Sequence, residues 1–168
     1  MMRTRYAIAL GSNRRHGRHG APANVLRAAI RGLGALGDVE VISPIVATPA
    51  LGPAGRGFAN AALILTSDLS PDSLLRALKQ VERDFGRRAG QRWGPRVLDL
   101  DILLWSQGAW ESAGLVVPHT AFRDRMFVLQ PLAAIAPGWR DPVTGLTVRQ
   151  LLKRLAAPRP VDPDAARP

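Results

Sequence analysis

Runs and stripes of apolar residues divide the chain into strands and helices. Tyr6-Ala7-Ile8-Ala9-Leu10 is a continuous apolar run, as in a short buried strand, and Gly11-Ser12-Asn13 is expected to stop it. The segment from Arg14 to Gly20 is polar and glycine-rich, and reads as a flexible loop that does not pack. Pro22 suits a first helical turn, and Leu26, Ile30 and Leu33 then recur at helical spacing until Gly34 and Gly37. Val39 to Val46 reads as a second strand, residues 47–57 as a long proline- and glycine-containing connection, and Phe58 to Thr66 as a third strand. Ser70-Pro71 opens a second helix whose apolar stripe is Leu74, Leu78, Val81 and Phe85, closed by Gly86. An arginine- and glycine-rich loop leads to a fourth strand, Val97 to Trp105, and Leu115-Val116-Val117 adds another. Short helices are expected around Arg123–Ile135 and Thr147–Ala156.

The order β-α-β-β-α-β over residues 6–105 predicts an α+β fold of the ferredoxin-like sandwich type, with helices on one face of an antiparallel sheet. With 168 residues, 46% of them hydrophobic, the chain is the right size for one domain, expected over residues 1–157. The proline-rich stretch 158–168 reads as a disordered tail. No internal repeat is visible.

Composition narrows the chemistry. The absence of cysteine excludes disulfides, thiolate metal sites and cysteine nucleophiles. No apolar run approaches a membrane span and no signal-peptide pattern opens the chain, so a cytoplasmic protein without a membrane partner is expected. The net charge of +10 suits a polyanionic partner: nucleic acid, an anionic membrane or a phosphorylated small molecule. Of 23 basic residues only Lys79 and Lys153 are lysine, and seven of the 23 fall between Arg76 and Arg96.

Next to that cluster stands Val97-Leu98-Asp99-Leu100-Asp101-Ile102-Leu103-Leu104-Trp105. Alternate residues of a strand share a face, so Asp99 and Asp101 are expected to point the same way, about 7 Å apart at Cα. Leu98, Leu100, Ile102 and Leu104 would line the other face. Carboxylates buried in so apolar a strand need cations, either salt-bridged arginines or a hard metal ion such as Mg²⁺. Magnesium completes its coordination with water and substrate phosphates, and Arg87, Arg88, Arg92 and Arg96 supply planar forks of phosphate donors. No G-x-x-x-x-G-K-[ST] occurs, so a P-loop is excluded. His119, after Val117-Pro118 and near Arg123 and Arg125, is a candidate phosphate contact. His16 and His19 match no zinc site or triad. Phe58, Asn60 and the Thr48-Pro49 segment offer stacking faces and paired donors and acceptors suited to a heterocycle.

Taken together, Arg92-Trp93-Gly94-Pro95-Arg96-Val97-Leu98-Asp99-Leu100-Asp101-Ile102-Leu103 resembles the signature of the 6-hydroxymethyl-7,8-dihydropterin pyrophosphokinase family of folate biosynthesis. Further landmarks follow in order: Ala9-Leu10-Gly11-Ser12-Asn13, Thr48-Pro49, Phe58-Ala59-Asn60, Glu82 with Gly86-Arg87, Val117-Pro118-His119 and Arg125-Met126-Phe127. The resemblance implies transfer of pyrophosphate from ATP to the pterin hydroxymethyl group, leaving AMP. It implies two Mg²⁺ held by Asp99 and Asp101, and catalytic roles for these two with Arg87 and Arg96. ATP contacts fall to Glu82, Arg87, Arg92, Arg96, Ile102, His119 and Arg125. The pterin pocket falls to Thr48, Pro49, Leu51, Phe58, Asn60, Trp93 and Phe127.

Some positions depart from the family pattern: Arg14, Val46, Lys79, Gly114 and Thr120 stand where other residue types are usual. None touches the aspartates. The opposing hypothesis, a ferredoxin-like RNA-binding module, fits the charge but not the chemistry. The chain has nine aromatics, no paired exposed rings on a strand, and strand aspartates that would repel phosphates unless metal-loaded. Small-molecule substrates, no nucleic-acid partner and a monomer are therefore expected.

Overall fold

The computed structural model describes residues 2–48, 57–86 and 97–160. The elements run β1 (Thr4–Ser12), α1 (Pro22–Leu33), β2 (Asp38–Ile42), β3 (Val46–Thr48), β4 (Phe58–Ser67), α2 (Pro71–Gly86), β5 (Asp99–Trp105), β6 (Trp110–Ser112), β7 (Leu115–Val117), a 3₁₀ turn (Phe122–Asp124), α3 (Met126–Ile135) and α4 (Val148–Ala156). The main sheet is antiparallel, in the order β2-β4-β1-β5, with β3 also paired to β4.

Consecutive apolar residues in β1 and β4 mean that both faces of the sheet are covered. Tyr6, Ile8, Leu10, Leu63 and Leu65 pack with Val25, Leu26 and Leu33 of α1 and Leu74 and Leu78 of α2. On the other side Ala7, Ala9, Ala62 and Ile64 pack with Val128, Leu129 and Leu132 of α3 and Val148 and Leu151 of α4. Helices on a single face, as the sequence predicts, describes only α1 and α2; α3 and α4 cover the second face.

Three further expectations are corrected. The second strand is split: Ser43-Pro44 separates β2 from β3, and Ser43 meets β4 through N–H to Ala62 O (2.8 Å) and Ala62 N–H to Oγ (2.8 Å). Proline has no N–H to continue the ladder. Residues 115–117 do not join the main sheet but pair with 110–112 as a separate hairpin, and Gly114 at φ +83° makes the turn. The segment 14–20 packs through its two histidines, while Arg15, Gly17 and Arg18 stay exposed. His16 and Gly20 exchange two backbone hydrogen bonds of 2.8 Å, and the rings of His16 and His19 stack at 4.8 Å against Phe85.

A bulge reshapes β5. Ile8 faces Ile102 while Ala7 faces Leu104, which leaves Leu103 as the extra residue. Leu98, Leu100 and Ile102 join the α1/α2 core as expected, but Leu104 turns with Leu103 into the α3/α4 core. The Leu103 carbonyl accepts the His119 N–H at 3.0 Å, so the bulge also anchors the chain after β7.

Candidate active site

The sheet register assembles the site. Asp101 lies opposite Ala9 and Asp99 opposite Gly11, and Gly11 lies opposite Asn60. Directly opposed residues share a face, so Asp99, Asp101, Gly11 and Asn60 lie on the same side as Ala9, the side of α3 and α4. Phe58, two residues before Asn60, is on this face too, opposite Thr48. A β-carbon on Gly11 would sit 3.4 Å from Asn60 Oδ1, so the glycine leaves a shallow shelf between the aspartate and the asparagine.

The aspartates are less buried than a central place in an apolar strand implies. Asp99 is exposed and the Asp101 side chain is 40% exposed, because they stand at the open beginning of an edge strand. Hydration there lowers the desolvation cost that the sequence argument assigns to them. His119 meets Asp101 with Nε2 3.9 Å from Oδ1. Its Nδ1 accepts the Ala121 N–H at 3.1 Å, which places the neutral ring's proton on Nε2, facing the carboxylate.

Arg125 and Phe127 lie at the start of α3, both exposed, with the guanidinium carbon 6.0 Å from the ring centre. An ion pair between half-buried Arg123 and buried Asp141 holds the preceding 3₁₀ turn. Arg123 donates to Asp141 through Nε (2.6 Å) and Nη2 (2.8 Å), and Val143 N–H and Thr144 Oγ1 complete the shell of this fully buried carboxylate. Burial raises the Asp141 pKa, but the hydrogen bonds from Arg123, Thr144 and Val143 outweigh it and bring it down to about 2.

The structure sorts the predicted residues unequally. Asp99, Asp101, Asn60, Phe58 and Thr48 belong to one continuous face, and His119 joins it at Asp101. Phe58 is 48% exposed, which excludes core packing as its role. The Ile102 side chain is buried in the α1/α2 core, so a nucleotide contact there would run through the main chain. Glu82 is also buried, with its carboxylate on the Leu100 N–H and on Lys79. Pro49, Leu51, Arg87, Arg92, Trp93 and Arg96 lie outside the described residues. Sequence reasoning assigned no role to the Gly11 shelf or to Asp141. The glycine following a strand run was the available signal for the first. Nothing local signalled the second, whose partner is 18 residues away.

The residues at hand fit a hard divalent cation in part. Two carboxylates on one exposed face supply oxygen donors, and no third acidic or imidazole ligand completes a metal-binding group among the described residues. Such a donor set suits an ion that draws its other ligands from water and phosphate.

Comparisons with known proteins identify the family and the fold. A family model described as 7,8-dihydro-6-hydroxymethylpterin-pyrophosphokinase matches residues 7–137. The chain is 41% identical over 118 residues to the 2-amino-4-hydroxy-6-hydroxymethyldihydropteridine pyrophosphokinase of Synechocystis, covering 70% of this chain and 60% of that protein. It is 37% identical over 155 residues to the protein of the same name from Methylorubrum extorquens, covering 90% and 94%. Its fold is similar to the Plasmodium falciparum HPPK-DHPS crystal structure, with a TM-score of 0.71 at 13% identity, over 91% of this chain and 45% of that one. With the matched segment spanning most of the sequence, and both aspartates inside it, the chain belongs to the 7,8-dihydro-6-hydroxymethylpterin-pyrophosphokinase family.

Proposed function

We propose that the protein transfers the β,γ-pyrophosphoryl group of ATP to the hydroxymethyl oxygen of 6-hydroxymethyl-7,8-dihydropterin, releasing AMP. The observation that carries this reading is the shared face of Asp99, Asp101 and Asn60, on which two carboxylates stand with an amide suited to pairing with a heterocycle. Family membership supports the same reading. In the reaction the hydroxymethyl oxygen forms a bond to the β-phosphorus. The bond from that phosphorus to the oxygen bridging to the α-phosphate breaks, AMP leaves with the electron pair, and the hydroxyl proton is lost.

Asp99 and Asp101 are the residues that would hold magnesium, with two ions expected. Held there with ATP, magnesium would supply charge neutralisation for the triphosphate and the leaving group. The chain's own groups do the positioning. His119 presents an Nε2–H beside Asp101, where it can donate to a phosphate oxygen, and exposed Arg125 supplies a guanidinium. Thr48, Phe58, Asn60 and Phe127 form the pterin side, Asn60 by paired hydrogen bonds and the two phenylalanines by stacking. Arg87, Arg92 and Arg96 would donate to the triphosphate, and Trp93 would cover the pterin, keeping water from competing with its hydroxyl. Pro49 and Leu51 belong to the pterin side of the same assignment.

We read the core over residues 1–157 as one ferredoxin-like domain acting as a monomer in the cytoplasm. The strand order β2-β4-β1-β5 with two helical crossovers supports the topology. Among the described residues no helix is long and apolar enough to cross a membrane. Chromatographic measurement of AMP tests the activity. AMP should accumulate when ATP, Mg²⁺ and the pterin alcohol are all present. AMP production that ignores the pterin, or none at all, would refute the proposal.

A further inference from the structure

Glu82 is the buried acid of α2, 8% exposed, on a helix whose other acids, Asp72 and Asp84, are not buried. Its Oε1 accepts the Leu100 N–H at 2.7 Å, and both carboxylate oxygens receive Lys79 Nζ at 3.1 Å. Among the described residues the sheet ends at β5. The outward N–H of Leu100 therefore meets a carboxylate where an inner strand would meet a carbonyl. Leu100 lies between Asp99 and Asp101, so this bond grips the main chain at the midpoint of the pair.

Packing alone does not call for an acid here. Leu74 and Leu78 already seat α2 in the core, and an ionised group is costly to bury unless it is paired and hydrogen-bonded. A charged acceptor holds an N–H more tightly than a neutral one does, and Lys79 balances the charge locally. The same helix ends at Gly86, directly before Arg87. One contact thus joins the helix leading into the arginine segment to the strand that carries the aspartates.

We propose that Glu82 is a positioning residue for the metal–nucleotide site. By fixing Leu100 it sets the spacing and aim of Asp99 and Asp101, with Lys79 as its counter-ion. The inference rests on the reading of those aspartates as magnesium ligands. The test uses Glu82→Ala and Glu82→Gln with three readouts: Mn²⁺ binding by electron paramagnetic resonance in the presence of a non-hydrolysable ATP analogue, exchange of the Leu100 amide by NMR, and kcat against pterin KM. In Glu82→Ala the Leu100 amide should exchange faster. Mn²⁺ binding and kcat should fall together by roughly 10- to 100-fold, as is usual when a group orienting a metal ligand is lost. Pterin KM should stay near its native value. Glu82→Gln, which keeps an oxygen acceptor, should recover most of the loss. If Glu82→Ala does not fold, Glu82→Asp carries the same expectation, because its shorter side chain draws back from Leu100. Faster Leu100 exchange with unchanged Mn²⁺ binding would reduce Glu82 to a structural brace and overturn the proposal. Unchanged Mn²⁺ binding in a parallel Asp101→Ala variant would overturn the metal reading itself, and this inference with it.

Discussion

The two faces of the central sheet use the same strands in opposite ways. Toward α1 and α2, β1 presents Tyr6, Ile8 and Leu10, large side chains that are fully or almost fully buried. Toward α3 and α4 it presents Ala7, Ala9 and Gly11. The first face is filled by its own side chains, with no room for a ligand against the strands. The second is shallow; α3 and α4 cover one end, and at the other end Asp99, Asp101, Asn60 and Phe58 surround the Gly11 shelf. The proposed site sits where the strands carry their smallest residues, which is where a ligand can approach the backbone.

Substitutions on the two faces should therefore separate activity from stability. The largest effect is expected at Asp101→Ala. Removing one of two charge-gathering carboxylates should lower turnover by about 10³-fold, or about 4 kcal/mol, with the melting temperature almost unchanged. Steady-state kinetics beside a thermal melt checks this, and near-native turnover would contradict the assignment. Next comes Arg123→Ala, which leaves Asp141 buried and unpaired and should cost about 3–5 kcal/mol in a urea titration. On the closed face Leu10→Ala should cost about 2–4 kcal/mol while KM for both substrates holds. If it altered nucleotide affinity as strongly as stability, the division between the faces would fail.

The pH dependence gives a smaller and sharper test of the buried pair. Asp141 is depressed from 3.8 to about 2 by folding. Its contribution is thus fully present above pH 3.8 and is lost as the pH falls through 2. The difference corresponds to about 2 kcal/mol. Chemical denaturation of native protein and Asp141→Asn at pH 5 and pH 2 should show this component in the native protein only. The smallest effect is expected at Gly11→Ala, where the added methyl just reaches Asn60 Oδ1. Pterin KM should rise severalfold, on the order of 1 kcal/mol, with ATP affinity unchanged.

Features set by local periodicity were legible in the sequence, and those set by partners were not. The i, i+2 relation of Asp99 and Asp101 follows from strand geometry alone, and the stripe Leu74, Leu78, Val81 and Phe85 placed α2 correctly. The Leu103 bulge depends on how β5 meets β1, so Leu104 was assigned to the wrong face. The apolar run through β1 held the evidence for a sheet covered on both sides, since an alternating strand needs only one cover. The packing of His16 and His19 on Phe85 and the Arg123–Asp141 pair join residues far apart in sequence, and composition carries no trace of either. The resemblance needs only the order of its motifs along the chain, whereas the Asp99–Gly11–Asn60 row requires the sheet register.

The central claim is that the paired aspartates collect the metal-bound triphosphate. Calorimetric titration of a non-hydrolysable ATP analogue into native protein and into the Asp99→Asn/Asp101→Asn double variant, with and without Mg²⁺, tests it most directly. The account predicts that Mg²⁺ strengthens binding to the native protein at least about tenfold and has no such effect on the double variant. Equal enhancement by Mg²⁺ in both proteins would contradict it.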